Sequence, residues 1–391
     1  MITSVLRPGC VAALVLALGL GLPGCKRLRR QSRVEEKTLP AGADPAARRG
    51  DGRVADPRVY SETRSYMGTL FRVVIALRGD TKSEAGRQHL AESRRQAVEA
   101  VRGAFAEVVR LESLLSAHQA DSLISRINAA AAKRPTRAVK VPQEVFNLIL
   151  QSIKLSRSLS GAFDITFAPL ANLYRPPRGA QPARVPSPVD LRQALTLVGS
   201  KHIVLDYDKV SVRLGRPGMR IGLGAIAKGY TVDSVATVLR AQGQTAFIVD
   251  GGGDLYVSGR HPDRPWRVGI KDPRNPSVYF ATLPVQSRAV VTSGSYERFF
   301  DKGGVRYHHI LDPRTGRPAS TLTSVTVVAP KAALADALAT GVFVLGPKKG
   351  LEVVKHFPKV DALVVTSDGK VLMTPGLKGV IRHQPPSRPG K

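Results

Sequence analysis

The spacing of apolar residues constrains the fold of this chain more than any other feature. Over residues 84–113, Val98, Val101, Phe105 and Val108 recur at helical spacing in a charged background. Such spacing places them on one face, so this stretch predicts a long amphipathic helix. Further helices are predicted over 143–159, 225–242 and 332–345.

Short runs rich in β-branched and aromatic residues separate these helices and predict strands. The runs lie at 66–77, 202–208, 209–215 and 245–250. Strands that follow one another like hairpins, mixed with helices in irregular order, predict an α+β fold rather than a doubly wound parallel sheet.

Length and charge bound the possible functions. The chain has 391 residues, 43% of them hydrophobic, which suits one large domain or two closely packed ones. Its formal net charge of +29 favours anionic partners: a phosphorylated ligand, nucleic acid or an anionic bilayer. The sequence has no zinc-finger spacing, RNA-recognition motif or basic helix interleaved with aromatic residues, so no nucleic-acid partner is expected.

The first residues resemble an export signal. Arg7 precedes an apolar run at 10–22, which is short for a membrane span and typical of a secretory signal peptide. The run ends in Leu-Pro-Gly-Cys at 22–25, which resembles a bacterial lipobox. Cys25 would then be lipidated and become the first residue of the mature chain. The alternative is a plain signal peptide with an incidental cysteine.

These features predict the domain organisation. Residues 1–24 are expected to be a lipoprotein signal peptide and 25–57 a flexible basic tether; 58–383 would form the folded domain and 384–391 a disordered tail. Cleavage before Cys25 would also remove Cys10, the only other cysteine, so no disulfide could form within the mature chain.

Glycine-containing stretches offer ambiguous signals. At 159–174 a glycine ends a helix and Ala162, Phe163 and Asp164 begin an extended segment, which alone is only a helix stop. At 221–243 small residues lead into a helix, where the backbone and Lys228 could receive a phosphate; close helix packing explains the same residues. The stretch is neither a Walker A motif nor a dinucleotide fingerprint. Three glycines at 251–253 predict a turn.

Asp336 and Thr340 lie four residues apart on a predicted helix and therefore share a face. Their hard oxygen donors suit Mg²⁺, which keeps waters or substrate phosphate oxygens in its other positions. A carboxylate among apolar neighbours must be paired, metal-bound or exposed. A solvated aspartate at the helix edge stays an alternative.

The stretch 306–318, RYHHILDPRTGRP, contains two adjacent histidines after a turn at 301–304. Two strands flanking this turn would form a hairpin and place residues 292–294 and His309 towards its opposite end. In a strand, His308 and His309 point to opposite faces, so only one of them can face a site. A neutral histidine can activate a hydroxyl near pH 7, although a lone histidine is more often structural.

Taken together, the motifs resemble the ApbE family, the FAD:protein FMN transferases, between Met67 and Gly346. Each motif alone is weak, and their shared order carries the resemblance. The motifs are MGT (67–69), DSLISRIN (121–128), GAFDIT (161–166), GAIAKGYTVD (224–233), GGDLYVSG (252–259), TSGSYERFF (292–300), HHILDPRTGRP (308–318) and ADALATG (335–341).

The resemblance implies a Mg²⁺-dependent enzyme outside the cytoplasm, lipid-anchored on the extracytoplasmic side of a bacterial membrane. Such an enzyme cleaves FAD and attaches FMN through a phosphoester to a Thr or Ser of an acceptor flavoprotein, with release of AMP. Typical acceptors are subunits of membrane redox complexes. The implied fold has mixed sheets with flanking helices and a ligand cleft between two lobes.

The resemblance also implies roles for individual residues. Asp336 and Thr340 would bind the metal through their side chains and Ala225 through its carbonyl, and His309 would be the base. Flavin contacts are implied for Met67, Ala162, Phe163, Asp164, Lys228 and Leu311.

The chain departs from the family pattern at two flavin-side positions. Gly222 stands where the family often has an acidic residue, and His118 stands where an aromatic is usual. An imidazole can stack on a flavin or an adenine, but with a smaller area. Two alternative functions stay open: an FAD pyrophosphatase that yields FMN and AMP, and a non-catalytic FAD-binding lipoprotein.

Overall fold

The computed structural model describes residues 56–179 and 181–383. Helices and strands fill most of these residues. The helices are α1 (Glu84–Leu115), α2 (Leu123–Ala131), α3 (Gln143–Ser158), α4 (Ala168–Ala171), α5 (Pro188–Leu195), α6 (Ala227–Ala241) and α7 (Ala332–Val354). The strands are β1 (Val59–Tyr66), β2 (Thr69–Ala76), β3 (Val139–Lys140), β4 (Ile203–Asp206), β5 (Ser211–Leu214), β6 (Phe247–Gly251), β7 (Asp254–Ser258), β8 (Trp266–Asp272), β9 (Asn275–Val285), β10 (Arg288–Gly294), β11 (Phe299–Lys302), β12 (Val305–His308), β13 (Leu322–Ala329), β14 (Asp361–Thr366), β15 (Val371–Met373) and β16 (Arg382–His383).

An eight-stranded sheet organises the molecule, in the order β1-β2-β6-β7-β10-β13-β14-β15. Its neighbouring strands are all antiparallel. Three smaller antiparallel sheets accompany it: β11-β12, β16-β9-β8 and β3-β5-β4. Antiparallel sheets combined with helices confirm the predicted α+β class.

The two faces of the large sheet pack against different layers. Alternation along a strand sends Val73 into a core shared with α1, α6 and α7, and Val74 into a second core shared with β8 and β9. Both valines are buried. The helices therefore lie on one face of the large sheet, and the site described below forms where α6 and α7 meet it.

Helices α6 and α7 touch at backbone distance. A Cβ atom at Gly229 would lie 2.3 Å from the carbonyl oxygen of Ala332, so only glycine fits there. The carboxylate of Asp233 on α6 accepts hydrogen bonds from the backbone N–H groups of Ala332 (2.9 Å) and Ala333 (3.0 Å) at the start of α7. Asp233 thus caps α7 and fixes its first turn against α6.

The helix predictions are confirmed, with one difference in length. α7 continues to Val354, beyond the predicted end at 345, after a break at Gly346 (φ 80°) that Pro347 follows. The predicted strand at 66–77 is confirmed as β2, which pairs with a preceding strand, β1, across a turn at Met67 and Gly68. β1 escaped prediction because it is a polar, mostly half-exposed edge strand.

The hairpin predicted around residues 301–304 is confirmed as β11 and β12, which turn at Gly303 (φ 59°) and Gly304 (φ 74°). Residues 292–294, expected on the same hairpin as His309, belong instead to β10 in the large sheet. The reason is that the chain leaves that sheet at Gly294 before β11 begins.

The export-related predictions fall largely outside the described residues. The signal peptide at 1–24, Cys25 and the tail at 384–391 lie outside, as does the tether at 25–57 except for Asp56 and Pro57. In the part of the chain that the structure describes, none of the helices is both long and apolar enough to span a bilayer.

Candidate active site

A half-buried lysine and two buried carboxylates form the centre of the site. The Nζ atom of Lys228, in the first turn of α6, lies 2.7 Å from Asp254 Oδ2 and 3.3 Å from Asp336 Oδ2. Asp254 begins β7 and Asp336 lies in the second turn of α7, and each is 2% exposed. We call these three residues the acid–lysine centre.

Charge balance determines the protonation of this centre. Burial alone would lower the pKa of Lys228, but the two carboxylates outweigh it and raise that pKa, so the lysine is a cation. Burial raises the pKa of Asp254 well above its usual value, and the charge of Asp336 raises it further. A cation bound beside the two carboxylates would offset this repulsion between them.

Asp336 also accepts a hydrogen bond from the backbone N–H of Gly229 (3.2 Å). Gly229 lies in the first turn of α6, whose N–H groups lack partners within the helix. The positive end of the helix dipole therefore stabilises the Asp336 carboxylate. α6 and α7 thus cap each other, through Asp336 in one direction and Asp233 in the other.

The other two predicted metal ligands lie beside this centre. Thr340 is half-buried, one turn after Asp336 on α7, and Ala225 is half-buried in the turn that leads into α6. Carboxylate, hydroxyl and carbonyl oxygens are the hard donors that Mg²⁺ prefers, and this donor set fits that ion. The metal assignment itself stays a prediction.

His308 is a structural residue. It is buried, its Nε2 lies 2.7 Å from the carbonyl oxygen of Ala319, and its Nδ1 accepts the backbone N–H of Ile310 (3.2 Å). A carbonyl only accepts, so Nε2 carries the proton and both ring nitrogens are engaged. Burial lowers the pKa of His308, which keeps the ring neutral.

His309 has the opposite environment, as strand alternation predicted. It is exposed, and its Nδ1 lies 3.3 Å from the carbonyl oxygen of Arg298. Nδ1 must donate to that carbonyl, so Nε2 presents a lone pair. Desolvation by the surrounding atoms is the main cause that lowers the pKa of His309 to about 4, with smaller contributions from neighbours including Arg298 and Lys228. The imidazole is therefore a neutral acceptor at pH 7.

Met67 connects the acid–lysine side to the histidine side. Its N–H donates to Glu112 Oε1 (2.7 Å), and its sulfur lies 3.4 Å from the hydroxyl oxygen of Thr231 on α6. The next carbonyl, of Gly68, accepts from the Arg298 guanidinium (3.1 Å). A surface cavity of about 430 Å³ opens over this turn and is lined by residues 65–70 and Glu112.

The predicted flavin contacts at 162–164 turn their side chains inward. Ala162 and Phe163 are each 1% exposed in the main core. The Asp164 carboxylate accepts hydrogen bonds from the backbone and hydroxyl of Thr166 (2.8 and 2.6 Å) and from the N–H of Ser200 (2.8 Å). This carboxylate organises the loop, and a flavin contact at this stretch stays a prediction.

The remaining predicted contacts lie around these elements. Leu311 is 6% exposed in a small core with Leu170. The N–H of Gly222 donates to the carbonyl of Ile165 (2.8 Å), and a Cβ atom there would meet the Phe167 ring at an ordinary 3.4 Å. His118 is exposed after the end of α1. Within the described residues, no hydrogen bond or ion pair joins these three to the acid–lysine centre.

Three residues at the site were not predicted. Asp254 had a readable signal, because it occupies a core-facing position of a strand, in step with Tyr256 and Ser258. Arg298 and Glu112 act through long-range contacts to Gly68 and Met67, which no local pattern reveals.

Solved structures with the same fold identify the class of protein to which this site belongs. The fold matches the crystal structure of the ApbE protein of Thermotoga maritima, with a TM-score of 0.71 and 31% identity over 83% of this chain and 100% of that one. It also matches the apo flavinyl transferase ApbE of Pseudomonas stutzeri, with a TM-score of 0.68 and 30% identity over 82% of this chain and 96% of that one. The class defined by this fold and site is that of the flavin transferases.

Comparison of amino-acid sequences identifies the same class of protein. The FAD:protein FMN transferase of Treponema pallidum is 35% identical over 341 residues, which cover 83% of this chain and 89% of the relative. The ApbE family model matches residues 67–364. The chain therefore belongs to the ApbE family, as the motifs predicted.

Proposed function

We propose that this chain is a Mg²⁺-dependent FAD:protein FMN transferase. It cleaves the pyrophosphate of FAD and joins the FMN phosphate to a Thr or Ser hydroxyl of an acceptor protein, with AMP as the other product. The observation that carries this proposal is a neutral histidine with an available Nε2, near a cluster of one lysine and two buried carboxylates.

His309 supplies the base. Its Nε2 takes the proton of the acceptor hydroxyl while the hydroxyl oxygen attacks the FMN phosphorus and the bond from phosphorus to the AMP oxygen breaks. The hydrogen bond from Nδ1 to the Arg298 carbonyl orients the ring and supports the imidazolium that forms. The pKa of about 4 leaves the base unprotonated well below neutral pH.

Asp336, Thr340 and the carbonyl of Ala225 would hold Mg²⁺. When bound, this ion would neutralise charge on the pyrophosphate, which is its general contribution to phosphoryl transfer. Lys228 keeps the two carboxylates from repelling each other and stays bonded to Asp254. We assign Met67, Ala162, Phe163, Asp164, Gly222, His118, Lys228 and Leu311 to FAD binding.

The activity is tested by incubating the protein with FAD, Mg²⁺ and candidate acceptor domains. We expect a fluorescent acceptor band in a denaturing gel, an acceptor mass increased by one FMN, and an equal amount of AMP. FMN and AMP released without labelled acceptor, for every acceptor tested, would instead identify a pyrophosphatase. FAD binding without any cleavage would identify a non-catalytic binding protein.

We further propose that the acceptor is a subunit of a membrane redox complex on the extracytoplasmic side. Residues 22–25 support an anchor at Cys25, which would hold the enzyme on the membrane near such an acceptor. The basic stretch that follows, with Lys26, Arg27, Arg29 and Arg30, would add attraction to anionic headgroups.

Cys25→Ala should move the protein from the membrane fraction to the soluble fraction, because it removes the thiol that would carry the lipid. Mass spectrometry of the N-terminus and fractionation of cells measure this. Cys10→Ala is the matched control, since this cysteine would be removed with the signal peptide. A Cys25→Ala protein that stays membrane-bound, processed like the wild type, contradicts the lipid anchor.

A further inference from the structure

The hairpin of β11 and β12 presents a continuous face that begins at the catalytic base. The N–H of His309 donates to the carbonyl of Arg298 (3.1 Å), so the ladder continues one pair beyond Phe299 and His308. Side chains alternate along each strand, and His309 therefore shares a face with Tyr307 and Val305. Across the ladder, this face carries Arg298, Phe300 and Lys302.

We call this surface the hairpin face and define it by Arg298, Phe300, Lys302, Val305, Tyr307 and His309. Much of it is accessible: Val305 is 52% exposed, Lys302 and Arg298 are exposed, and the two aromatic rings are half-buried. The rings of Phe300 and Tyr307 stack at 5.4 Å. Among the described residues, β11 and β12 pair with no strand other than each other, so their outer edges are open to another chain.

Residues 174–179 and 181–187, called the bordering segment below, lie beside the hairpin face. The ring of Tyr174 lies 6.1 Å from that of Tyr307, and Lys302 Nζ donates to the carbonyl of Ala183 (3.0 Å). A peptide on the accessible part of the hairpin face would therefore lie beside this segment, over the two aromatic rings, with one end at His309.

Positive charge dominates this surface. The bordering segment contributes three exposed arginines, and Arg298 and Lys302 add two cations from the hairpin. The acidic residues nearby are partly engaged: Asp190 with Arg184 (3.3 Å), Glu297 with Lys271 (4.0 Å), and Asp301 with Arg306 (3.2 Å). The arginines of the segment are Arg175, Arg178 and Arg184.

We infer that the hairpin face is the docking site for an extended, acidic segment of the acceptor protein, the segment that carries the modified hydroxyl. This inference rests on the proposed function and specifies its partner. From Val305 to His309 the strand advances about 13 Å, the length of about four extended residues. The acceptor would thus place acidic residues over Lys302 and Arg178 and its hydroxyl at His309, and edge pairing would keep it extended.

Peptide binding tests this inference without any turnover. Fluorescein-labelled twelve-residue peptides with one central Thr would carry Asp, Ser or Lys in the flanks, and fluorescence anisotropy with the full chain would measure their affinities. We expect the Asp peptide to bind about tenfold tighter than the Ser peptide at low salt, with the difference reduced at high salt. Equal affinities of the Asp and Ser peptides would overturn the inference.

Charge-reversal variants locate the binding surface. Lys302→Glu with Arg178→Glu should remove the preference for the Asp peptide and raise the KM for a protein acceptor about tenfold, with FAD affinity and thermal unfolding unchanged. Lys209→Glu with Lys370→Glu is the matched control, because these side chains are 73% and 75% exposed in the turns of two other hairpins. An equal effect of both double variants would show general electrostatics and reject this docking site.

Binding to lipid vesicles tests whether the hairpin face contacts an acceptor protein or a membrane surface. If the hairpin variant loses binding to phosphatidylglycerol vesicles while its acceptor KM stays unchanged, the hairpin face contacts lipid and the inference is wrong. If the chain binds the Asp peptide on the hairpin face but transfers no FMN to any acceptor, the proposed function is wrong. The hairpin face would then still be a binding site for acidic peptides.

Discussion

Asp336→Ala should lower FMN transfer by on the order of 10³-fold at ordinary Mg²⁺ concentrations. The variant removes the one charged ligand assigned to the metal, and charge neutralisation at a transferring phosphoryl group is worth several kcal/mol. Lys228 keeps its 2.7 Å contact with Asp254, and alanine suits a helix, so we expect a folded protein. Single-turnover transfer and Mg²⁺ titration measure the effect.

If Asp336 had only a structural role, its variants would lose stability rather than activity. The Asp336→Asn variant distinguishes this role from metal binding. The asparagine oxygen can still accept the N–H of Gly229, but the side chain loses its negative charge. If Asp336 binds the metal, Asn and Ala should be similarly inactive. Full activity of Asp336→Asn with a reduced melting temperature of Asp336→Ala would limit Asp336 to capping α6.

His309→Ala should lower the rate of FMN transfer by about 10² to 10⁴-fold, the usual contribution of a general base. FAD affinity should be unchanged, because the proposed role of His309 is toward the acceptor. Single-turnover transfer and FAD titration test this pair of outcomes. If His309→Ala acts only by weakening FAD binding, the assignment of the base is wrong.

His308→Ala is the comparison, and it should act on stability instead. This change removes the bond to the Ala319 carbonyl and the ring contact with Phe343, and it should cost about 2–4 kcal/mol of unfolding free energy. His308→Gln keeps a donor and should restore part of that stability. Measured on folded protein, transfer by His308→Ala should stay within a few-fold of the wild type; a larger rate loss than that of His309→Ala would reverse the assignment.

The pH profile gives a third readout of His309. Its folded pKa of about 4 lies below the unfolded value of 6.5. The base therefore stays neutral on acidification from neutral pH. The rate of FMN transfer should fall through protonation of His309 only as the pH approaches 4. The unfolded chain binds the proton first, so His309 costs stability increasingly as the pH falls from 6.5 towards 4, and His309→Ala should remove this dependence.

Local patterns predicted the parts of the molecule that depend on local chemistry. The period of Val98, Val101 and Phe105 predicted α1, and the parity of His308 and His309 predicted which ring is buried. The order of the motifs predicted the fold through their resemblance to the ApbE family. Asp336 was expected to be paired, metal-bound or exposed, and the structure shows it buried and paired with Lys228.

Long-range contacts account for most of what was not predicted. Asp254 reaches Lys228 across 26 residues and Arg298 reaches Gly68 across 230, so neither contact has a local signature. β1 shows no alternation of apolar and polar residues, because it is an edge strand whose side chains are half-buried or exposed. Asp164 was predicted by motif position alone, which does not distinguish a ligand contact from a loop-organising carboxylate.

The close approach at Gly229 bears on how sequences of this fold can diverge. The separation of α6 and α7 is set by backbone atoms, with Ala332 against Gly229, rather than by interlocking side chains. A side chain at position 229 would push Ala332 away and thereby change the distance between Lys228 and Asp336. A transplant of this site to a new scaffold would have to carry the glycine and its facing alanine along with the charged residues.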